Sequence, residues 1–224
     1  MDDGILGIST GGLSPFKGTG ELKGTLISLE GCEGSGKSTQ AEMLQRYLEE
    51  RGKSVTLVRE PGGTDAGERI REILLDPETG ELAPIAEALL FAAARAQLVR
   101  DVIRPALREG NIVVADRYTD SSLAYQGVAR GCGLEAVKNL NDWATGDLEP
   151  NLTVFLDMSV KEGLARVRGE DRIEQEELAF HENVRYAYSM LIRIFSYRMV
   201  VVDARGGPED VHDRVVSHIS RMVV

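Results

Sequence analysis

Residues 31–39 read GCEGSGKST and directly follow the short apolar run TLISLE at 25–30. This stretch matches G-x-x-x-x-G-K-[ST], the phosphate-binding loop that joins a strand to a helix. Its fixed places are occupied by Gly31, Gly36, Lys37 and Ser38. Apolar residues at 41, 44 and 48 give the following helix one buried face. A chance glycine-rich turn would lack this context, so the stretch predicts an α/β fold that binds a nucleoside triphosphate.

The residues of this loop suit the chemistry of a phosphate. Glycines allow consecutive backbone N–H groups to turn towards an anion, and the N-terminus of the helix adds partial positive charge. We expect Lys37 to reach the β- and γ-phosphates and the Ser38 hydroxyl to ligate Mg²⁺. The predicted ATP contacts are Gly31, Glu33, Gly34, Ser35, Gly36, Lys37, Ser38 and Thr39.

The composition is that of an ordinary globular protein, with 42% hydrophobic and 28% charged residues among 224. A formal net charge of −10 argues against a nucleic-acid partner or an anionic membrane surface, although it allows a local basic pocket. No apolar run approaches the roughly 20 residues of a membrane span, and the N-terminus lacks a signal pattern. Cys32 and Cys132 make no disulfide framework, which indicates a reduced, cytoplasmic setting.

The sequence predicts one domain over 25–224, preceded by a glycine-rich and flexible extension over 1–24 or by a segment upstream of the natural start. Strand-like runs lie at 25–30, 54–58, 111–115, 152–157 and 199–203. Helical patterns lie near 38–51, 65–75, 84–108, 121–130, 134–145, 159–167, 175–197 and 208–221. This alternation predicts a five-stranded parallel sheet flanked by helices, with ligands at the C-terminal ends of the strands. Pro105 should kink or break the third helix.

Two polar segments follow predicted strands and would reach that edge of the sheet. REPGGT at 59–64 would hold Arg59 and Glu60 near the pocket, unless it is a plain surface turn. DRYTDSSLAYQG at 116–127 begins with Asp116, which can engage Mg²⁺ or cap the next helix. Arg117 can clamp a phosphate with two hydrogen bonds. Groups that can read a base follow at Ser121, Ser122, Tyr125 and Gln126.

Two further segments lie on or between helices. In LLFAAARAQ, Phe91 and Arg95 share one helix face, so that a ring could stack on a nucleobase while a guanidinium donates to it. A core phenylalanine beside a surface arginine is the alternative. In ARVRGEDRIEQ, Arg166, Arg168 and Arg172 would close as a lid over phosphates, unless the segment is a solvated charge run.

Together, EGCEGSGKST, REPGGT, LLFAAARAQ, DRYTDSSLAYQG and RGEDRIEQE resemble the thymidylate (dTMP) kinase family in order and approximate spacing over about residues 25–205. The resemblance implies a nucleoside monophosphate kinase fold, usually a homodimer. It also implies an enzyme that transfers the γ-phosphoryl group of ATP to dTMP, with Mg²⁺, to give dTDP for dTTP synthesis. For the base and sugar of dTMP, it implies that Phe91 stacks on thymine, that Arg95 and Gln126 hydrogen-bond it near Ser122, and that Tyr125 packs against the sugar.

The resemblance also implies the phosphate contacts. Arg117, with Arg59, would clamp the dTMP phosphate, and Glu33 would meet the 3′-hydroxyl region. One branch of the family has an arginine in the loop; here Gly34 stands beside Glu33, so the lid would supply it. The lid segment GEDRIE is one residue shorter than the common GELDRIE, which leaves open which arginine reaches the phosphate. The implied catalytic residues are Lys37, Arg117, Arg168 and Arg172, and the implied metal ligands are Ser38 and Asp116.

Two other functions fit parts of the pattern. A kinase for UMP, CMP or dGMP would share the loop, although Phe91, Arg95 and Gln126 favour a pyrimidine. A nucleotide-binding switch or scaffold would keep the loop and the strand-end Asp116, but it would not need the segment 116–127 in full. For the homodimer, the apolar helices at 84–108 and 134–145 could supply a self-complementary face.

Overall fold

Five parallel strands form one sheet in the computed structural model, which describes residues 21–220. The strands are β1 (Thr25–Glu30), β2 (Val55–Arg59), β3 (Ile112–Asp116), β4 (Leu152–Asp157) and β5 (Met199–Asp203). Their order across the sheet is β2-β3-β1-β4-β5. The predicted fold class is confirmed, because each strand-like run of the sequence lies within a residue of an observed strand at both ends.

Helices pack on both faces of the sheet because successive side chains of a strand point to opposite faces. Ile27 and Leu29 of β1 belong to the core beneath the helices at 37–49 and 208–219, whereas Leu26 belongs to the core beneath the helices at 84–98 and 104–108. The helices are α1 (Lys37–Glu49), α2 (Asp65–Leu75), α3 (Pro84–Leu98), α4 (Arg104–Arg108), α5 (Thr119–Ser122), α6 (Leu134–Thr145), α7 (Val160–Leu164), α8 (Leu178–Ile194) and α9 (Pro208–Ile219). Within the described part of the chain, no helix has the length and apolar character that crossing a membrane requires.

Two π-helical segments interrupt these helices. Val99–Ile103 joins α3 to α4, so the helix is not broken at Pro105, but its α-helical pattern is interrupted directly before this residue. The wider turn places Pro105 in the first turn of a new α-helical segment, where a backbone N–H is not required. Leu123–Ala129 extends α5 and replaces most of the helix predicted at 121–130. A π-helix has more residues per turn than an α-helix, so consecutive side chains in this segment are separated by a smaller angle around the helix axis.

The C-terminal ends of the three neighbouring strands β2, β3 and β1 lie level with one another. Asp116 at the end of β3 pairs in register with Leu29 of β1 and with Arg59 of β2. The loops that begin at residues 31, 60 and 117 therefore leave the sheet at one edge and meet there. This edge is where the polar segments of the sequence are concentrated.

The predicted extension over 1–24 lies outside the described residues except for its last four. The backbone N–H groups of Lys23 and Gly24 both donate to the carbonyl of Leu107, at 3.0 and 2.8 Å. Leu22 packs partly buried against the core beneath α3 and α4. These contacts attach the chain to the domain just before β1 begins.

Candidate active site

One cleft of about 640 Å³ opens at the C-terminal edge of the sheet. It collects nearly all the site residues predicted from the sequence, namely Glu33, Gly34, Ser35, Gly36, Lys37, Ser38, Thr39, Arg59, Phe91, Arg95, Asp116, Arg117, Ser122, Tyr125 and Gln126. Gly31 contributes from the floor, where its carbonyl accepts a hydrogen bond from Arg117 at 3.1 Å. The phosphate loop and the side chains that could bind a nucleobase therefore line the same cavity.

Several glycines shape the phosphate loop with a positive φ, among them Gly34 at 71° and Gly36 at 88°. A Cβ atom at Gly34 would lie 2.0 Å from the carbonyl oxygen of Gly163 in α7, so backbone packs directly on backbone there. Lys37 Nζ donates to the carbonyl of Cys32 at 2.8 Å, inside the turn of the loop. Burial, together with the nearby charge of Arg117, lowers the pKa of Lys37. An anion bound in the loop would raise the pKa of Lys37 and so offset the effects of burial and of Arg117.

Ser38 and Asp116 meet across the loop, since Ser38 Oγ donates to Asp116 Oδ2 at 2.5 Å. A hydroxyl and a carboxylate side by side next to a phosphate loop fit Mg²⁺, which takes oxygen ligands and keeps water and substrate phosphates in its shell. Among residues 21–220, no cluster of three or more His, Cys, Asp or Glu is arranged to hold a metal. A site with two protein oxygens would leave coordination positions that water and the phosphates of a nucleotide could fill.

Arg117 connects the phosphate loop to the base-side residues. Its side chain donates to Glu33 Oε1 at 2.6 Å, to Ser121 Oγ at 3.2 Å and to Tyr125 Oη at 3.2 Å. Its backbone has φ of 72°, the left-handed region that a non-glycine residue rarely adopts. Such strain is common at functional sites because the surrounding structure holds it there.

Glu33 keeps its negative charge in this cluster. It accepts hydrogen bonds from Arg117 and, at 2.8 Å, from Tyr125 Oη. Burial by itself would raise the pKa of Glu33, but the charges of Arg117 and Lys37 and the Tyr125 hydrogen bond outweigh it and lower the pKa to about 2. The cleft therefore presents a fixed carboxylate beside a fixed guanidinium.

A second buried carboxylate, Glu30 at the end of β1, supports this cluster from below. Its Oε2 accepts from Ser121 Oγ at 2.6 Å and from Tyr188 Oη at 2.8 Å, and its Oε1 accepts from the backbone N–H of Tyr118 at 2.8 Å. The last bond fixes the residue next to Arg117. The sequence analysis missed Glu30, although an acid that ends an otherwise apolar strand could have indicated it.

Three residues of α3 at intervals of four face this region: Glu87, Phe91 and Arg95. Phe91 is half-buried and lines the cleft. Arg95 is only 1% exposed, and it is held by acceptors of the protein itself. Its Nε and one Nη lie 2.7 and 2.6 Å from Glu60 Oε2, and the other donors reach Ser122 Oγ, Asn141 Oδ1 and the carbonyl of Tyr118. The predicted hydrogen bond from Arg95 to a base would have to share these donors.

Glu87 was not predicted, and it is fully buried. Its carboxylate accepts from Gln126 Nε2 at 2.8 Å, from Arg172 Nη2 at 2.6 Å and from Arg130 Nε at 3.2 Å. Burial by itself would raise the pKa of Glu87, but the hydrogen bonds from Gln126 and Arg172 and the charge of Arg130 lower it overall. A glutamate in a helix is usually exposed, so nothing in the sequence sets this one apart.

The structure brings one of the three predicted lid arginines, Arg166, into the cleft, and it leaves Arg168 and Arg172 outside it. Arg172 donates to Glu87 and, from Nε, to the carbonyl of Leu74 at 3.0 Å. Arg168 points outwards, with its side chain 87% exposed beside Glu170. Arg166 lines the cleft instead, and so does Arg71 of α2, whose Nη1 donates to the carbonyl of Pro61 at 2.9 Å.

The last wall of the cleft comes from the connection between β5 and α9 and from the start of α9, which were not predicted. It consists of Ala204 and Gly206 of the connection and of Pro208 and Val211 of α9. Gln40 of α1 reaches across to it, where Nε2 donates to the carbonyl of Pro208 at 2.8 Å. The connection follows a strand end, so the rule that predicted the other segments applies to it as well.

Comparisons with known proteins identify the family of this chain. A family model described as "Thymidylate kinase" matches residues 29–215. The chain is 52% identical over 198 residues to the thymidylate kinase of Syntrophotalea carbinolica, which covers 84% of this chain and 92% of that protein. It is 44% identical over 200 residues to the thymidylate kinase of Caldanaerobacter subterraneus subsp. tengcongensis, with 88% and 96% covered. It is also 45% identical over 205 residues to that of Pelobacter propionicus, with 88% and 94% covered. The chain therefore belongs to the thymidylate kinase family.

Proposed function

We propose that this chain transfers the γ-phosphoryl group of ATP to dTMP and releases ADP and dTDP. The proposal rests on one observation, which is that the phosphate loop lines the same cleft as Phe91, Gln126 and Arg95. These three residues supply an aromatic ring, an amide and a guanidinium for a nucleobase. Binding both substrates in one cavity supplies proximity, which is the main requirement of phosphoryl transfer. The acceptor is already a phosphate oxyanion, so the reaction needs no strong base.

On the donor side, the loop from Gly31 to Thr39 holds the phosphates of ATP, and Lys37 balances the charge that develops on the transferring group. Ser38 and Asp116 would hold Mg²⁺, and their hydroxyl and carboxylate oxygens already lie together. When bound, the ion neutralises phosphate charge and orients the donor. The wall that contains Pro208 and Val211 suits the adenine ring of ATP.

On the acceptor side, Arg117 clamps the phosphate of dTMP together with Arg59, which lines the same cleft. Phe91 stacks on the thymine ring, and Gln126 hydrogen-bonds its edge. Glu33 and Tyr125 face the sugar, where their mutual hydrogen bond at 2.8 Å fixes both groups. Arg95 and Ser122 complete the base pocket through their own hydrogen bond at 3.0 Å.

The lid places positively charged side chains next to the transferring phosphoryl group. Arg166 supports this role best, because it lines the cleft. Arg168 is free of buried contacts and would need only a turn of its exposed side chain. Arg172 would first have to leave Glu87, so we assign it to holding the lid rather than to the phosphate.

A coupled ADP-release assay across monophosphates tests the proposal. We expect turnover with dTMP to exceed that with UMP, CMP, dCMP and dGMP, with dUMP as the nearest competitor. A preference for another monophosphate would contradict the assignment of the acceptor. ATP hydrolysis that no monophosphate stimulates would favour the nucleotide switch instead.

A homodimer and a reduced, cytoplasmic setting are also proposed. Large apolar side chains are exposed on the adjoining helices α2 and α3, at Ile73, Ile85 and Leu89. A second copy would cover them. Cys32 and Cys132 are both free thiols, as a reducing environment would keep them.

A further inference from the structure

Gln126 can present either a hydrogen-bond donor or a hydrogen-bond acceptor to the cleft. A side-chain amide donates through its nitrogen and accepts through its oxygen, so the end that faces a ligand decides which base edge it can bind. Here Nε2 donates to Glu87 Oε1 at 2.8 Å, away from the ligand. Gln126 lines the cleft, so its carbonyl oxygen is the end left for a base.

Glu87 has no freedom to reverse this arrangement. Its carboxylate is fully buried, and the guanidinium groups of Arg172 and Arg130 lie against it at 2.6 and 3.2 Å. Two cations beside a buried carboxylate keep it ionised, and an ionised carboxylate can only accept hydrogen bonds. Turning the amide over would place the Gln126 oxygen against a negative oxygen at a buried position.

We propose that Glu87 is a positioning residue that fixes the carbonyl oxygen of Gln126 towards the cleft and thereby selects a base with a ring N–H. The inference rests on the proposed function, since it takes the base to be a pyrimidine stacked on Phe91. Thymine and uracil carry a proton on N3, and the Gln126 oxygen accepts a hydrogen bond from this N–H group. Cytosine has an unprotonated N3, which places two acceptors against each other. Glu87 therefore disfavours dCMP as a substrate, but it does not discriminate between dTMP and dUMP.

The Glu87→Gln substitution tests this role. A glutamine at 87 can present either end of its amide, so Gln126 becomes free to turn its nitrogen towards the cleft. We expect the ratio of kcat/KM for dTMP to kcat/KM for dCMP to fall by about 10- to 100-fold, the usual cost of an unmatched buried polar group. The ratio for dTMP to dUMP should stay within about 2-fold, because both bases carry the same N3–H.

Glu176→Gln is the matched control. Glu176 also pairs with Arg130, but it makes no hydrogen bond to Gln126. We expect Glu176→Gln to leave the dTMP to dCMP ratio at its wild-type value. If Glu87→Gln lowers the activity towards all three monophosphates equally, Glu87 only holds the lid through Arg172, and the inference is wrong. A wild-type enzyme that does not use dTMP would overturn the proposed function, whatever the variants show.

A measurement on the unaltered enzyme covers the case in which Glu87→Gln does not fold. Neutron diffraction from deuterium-exchanged crystals of the wild-type complex with dTMP locates the deuterium atoms of the Gln126 amide. Deuterium between Gln126 and Glu87 supports the inference. Deuterium between Gln126 and the base, with the amide oxygen towards Glu87, overturns it.

Discussion

Arg117 is the residue on which the geometry of the acceptor side depends most. Its backbone lies in the left-handed region, which costs about 1–3 kcal/mol for a residue with a side chain. The hydrogen bond from the next residue, Tyr118, to Glu30 holds the backbone there. The guanidinium in turn contacts Glu33, so the acid in the phosphate loop and the clamp that we propose for the acceptor phosphate are fixed together.

The low pKa of Glu33 gives a pH dependence of stability. A carboxylate with a pKa of about 2 when folded and 4.5 when unfolded stabilises the protein fully above pH 4.5, and this stabilisation is lost as the pH falls towards 2. Its upper limit is about 3 kcal/mol. In urea unfolding at several pH values, wild type and Glu33→Gln should differ most near pH 7 and converge below pH 4.5. Glu42→Gln, at an exposed position, should show no such convergence. An equal difference at pH 7 and pH 3 would contradict the ion pair.

Lys37 is expected to act on turnover rather than on folding. Its ammonium group lies in the loop and would stabilise the transferring phosphoryl group, so Lys37→Ala should lower kcat by more than about 100-fold while the circular dichroism spectrum stays unchanged. Lys161→Ala, at an exposed position outside the cleft, is the control and should retain wild-type turnover. Near-normal steady-state turnover in Lys37→Ala would refute the role.

At the scale of elements, α7 supports the phosphate loop through a contact between two backbones. A Cβ atom at Gly163 would lie 2.2 Å from the carbonyl oxygen of Glu33, and one at Gly34 would meet Gly163 equally closely. Any side chain at either position must push α7 and the loop apart. The separation would move the backbone N–H groups that surround the phosphates.

Gly163→Ala should therefore destabilise the protein by about 1–3 kcal/mol, the usual cost of overpacking, and lower kcat/KM for ATP by about 10-fold or more. Gly127→Ala is the control, because a Cβ there would meet its nearest neighbour at an ordinary 3.5 Å. It should change the free energy of unfolding by no more than about 1 kcal/mol. Wild-type stability and ATP kinetics in Gly163→Ala would show that α7 yields without disturbing the loop.

The elements differ in how far the sequence predicts them. The five strands are predictable because they contain short runs such as IVVA at 112–115 and MVVV at 199–202 that are apolar at every position, which is typical of parallel strands. The loops that follow them are predictable because parallel strands deliver their C-terminal ends to one edge. The π-helical segments Val99–Ile103 and Leu123–Ala129 are not predictable, since their residues fit an α-helix equally well.

The buried carboxylates and the lid are the parts of the site that the sequence does not predict. Glu30 and Glu87 carry the residue type that is most often exposed, and their partners lie up to 158 positions away along the chain. For the lid, three arginines within seven residues make each of them a candidate. Turns between α7 and α8, rather than residue type, decide that Arg166 faces the cleft and Arg172 faces Glu87.

At the scale of the whole molecule, the homodimer is open to a direct test. Leu89 is 51% exposed on α3, and a charge there would have to be buried if α2 and α3 form the interface. Wild type should sediment as a dimer at micromolar concentration and Leu89→Asp as a monomer. Tyr186→Asp, at a similarly exposed position on α8, should remain a dimer. A monomeric wild type would contradict the proposed assembly.

The spacing of Glu87, Phe91 and Arg95 along α3 restricts how this protein can diverge in evolution. Each is four residues from the next, so one inserted or deleted residue would rotate part of the set by about 100° around the helix axis. Such a change would remove the ring, the guanidinium or the carboxylate from its present position in a single step. We therefore expect related genes to tolerate length changes in the connections around α3 but to carry no insertion or deletion between codons 87 and 95.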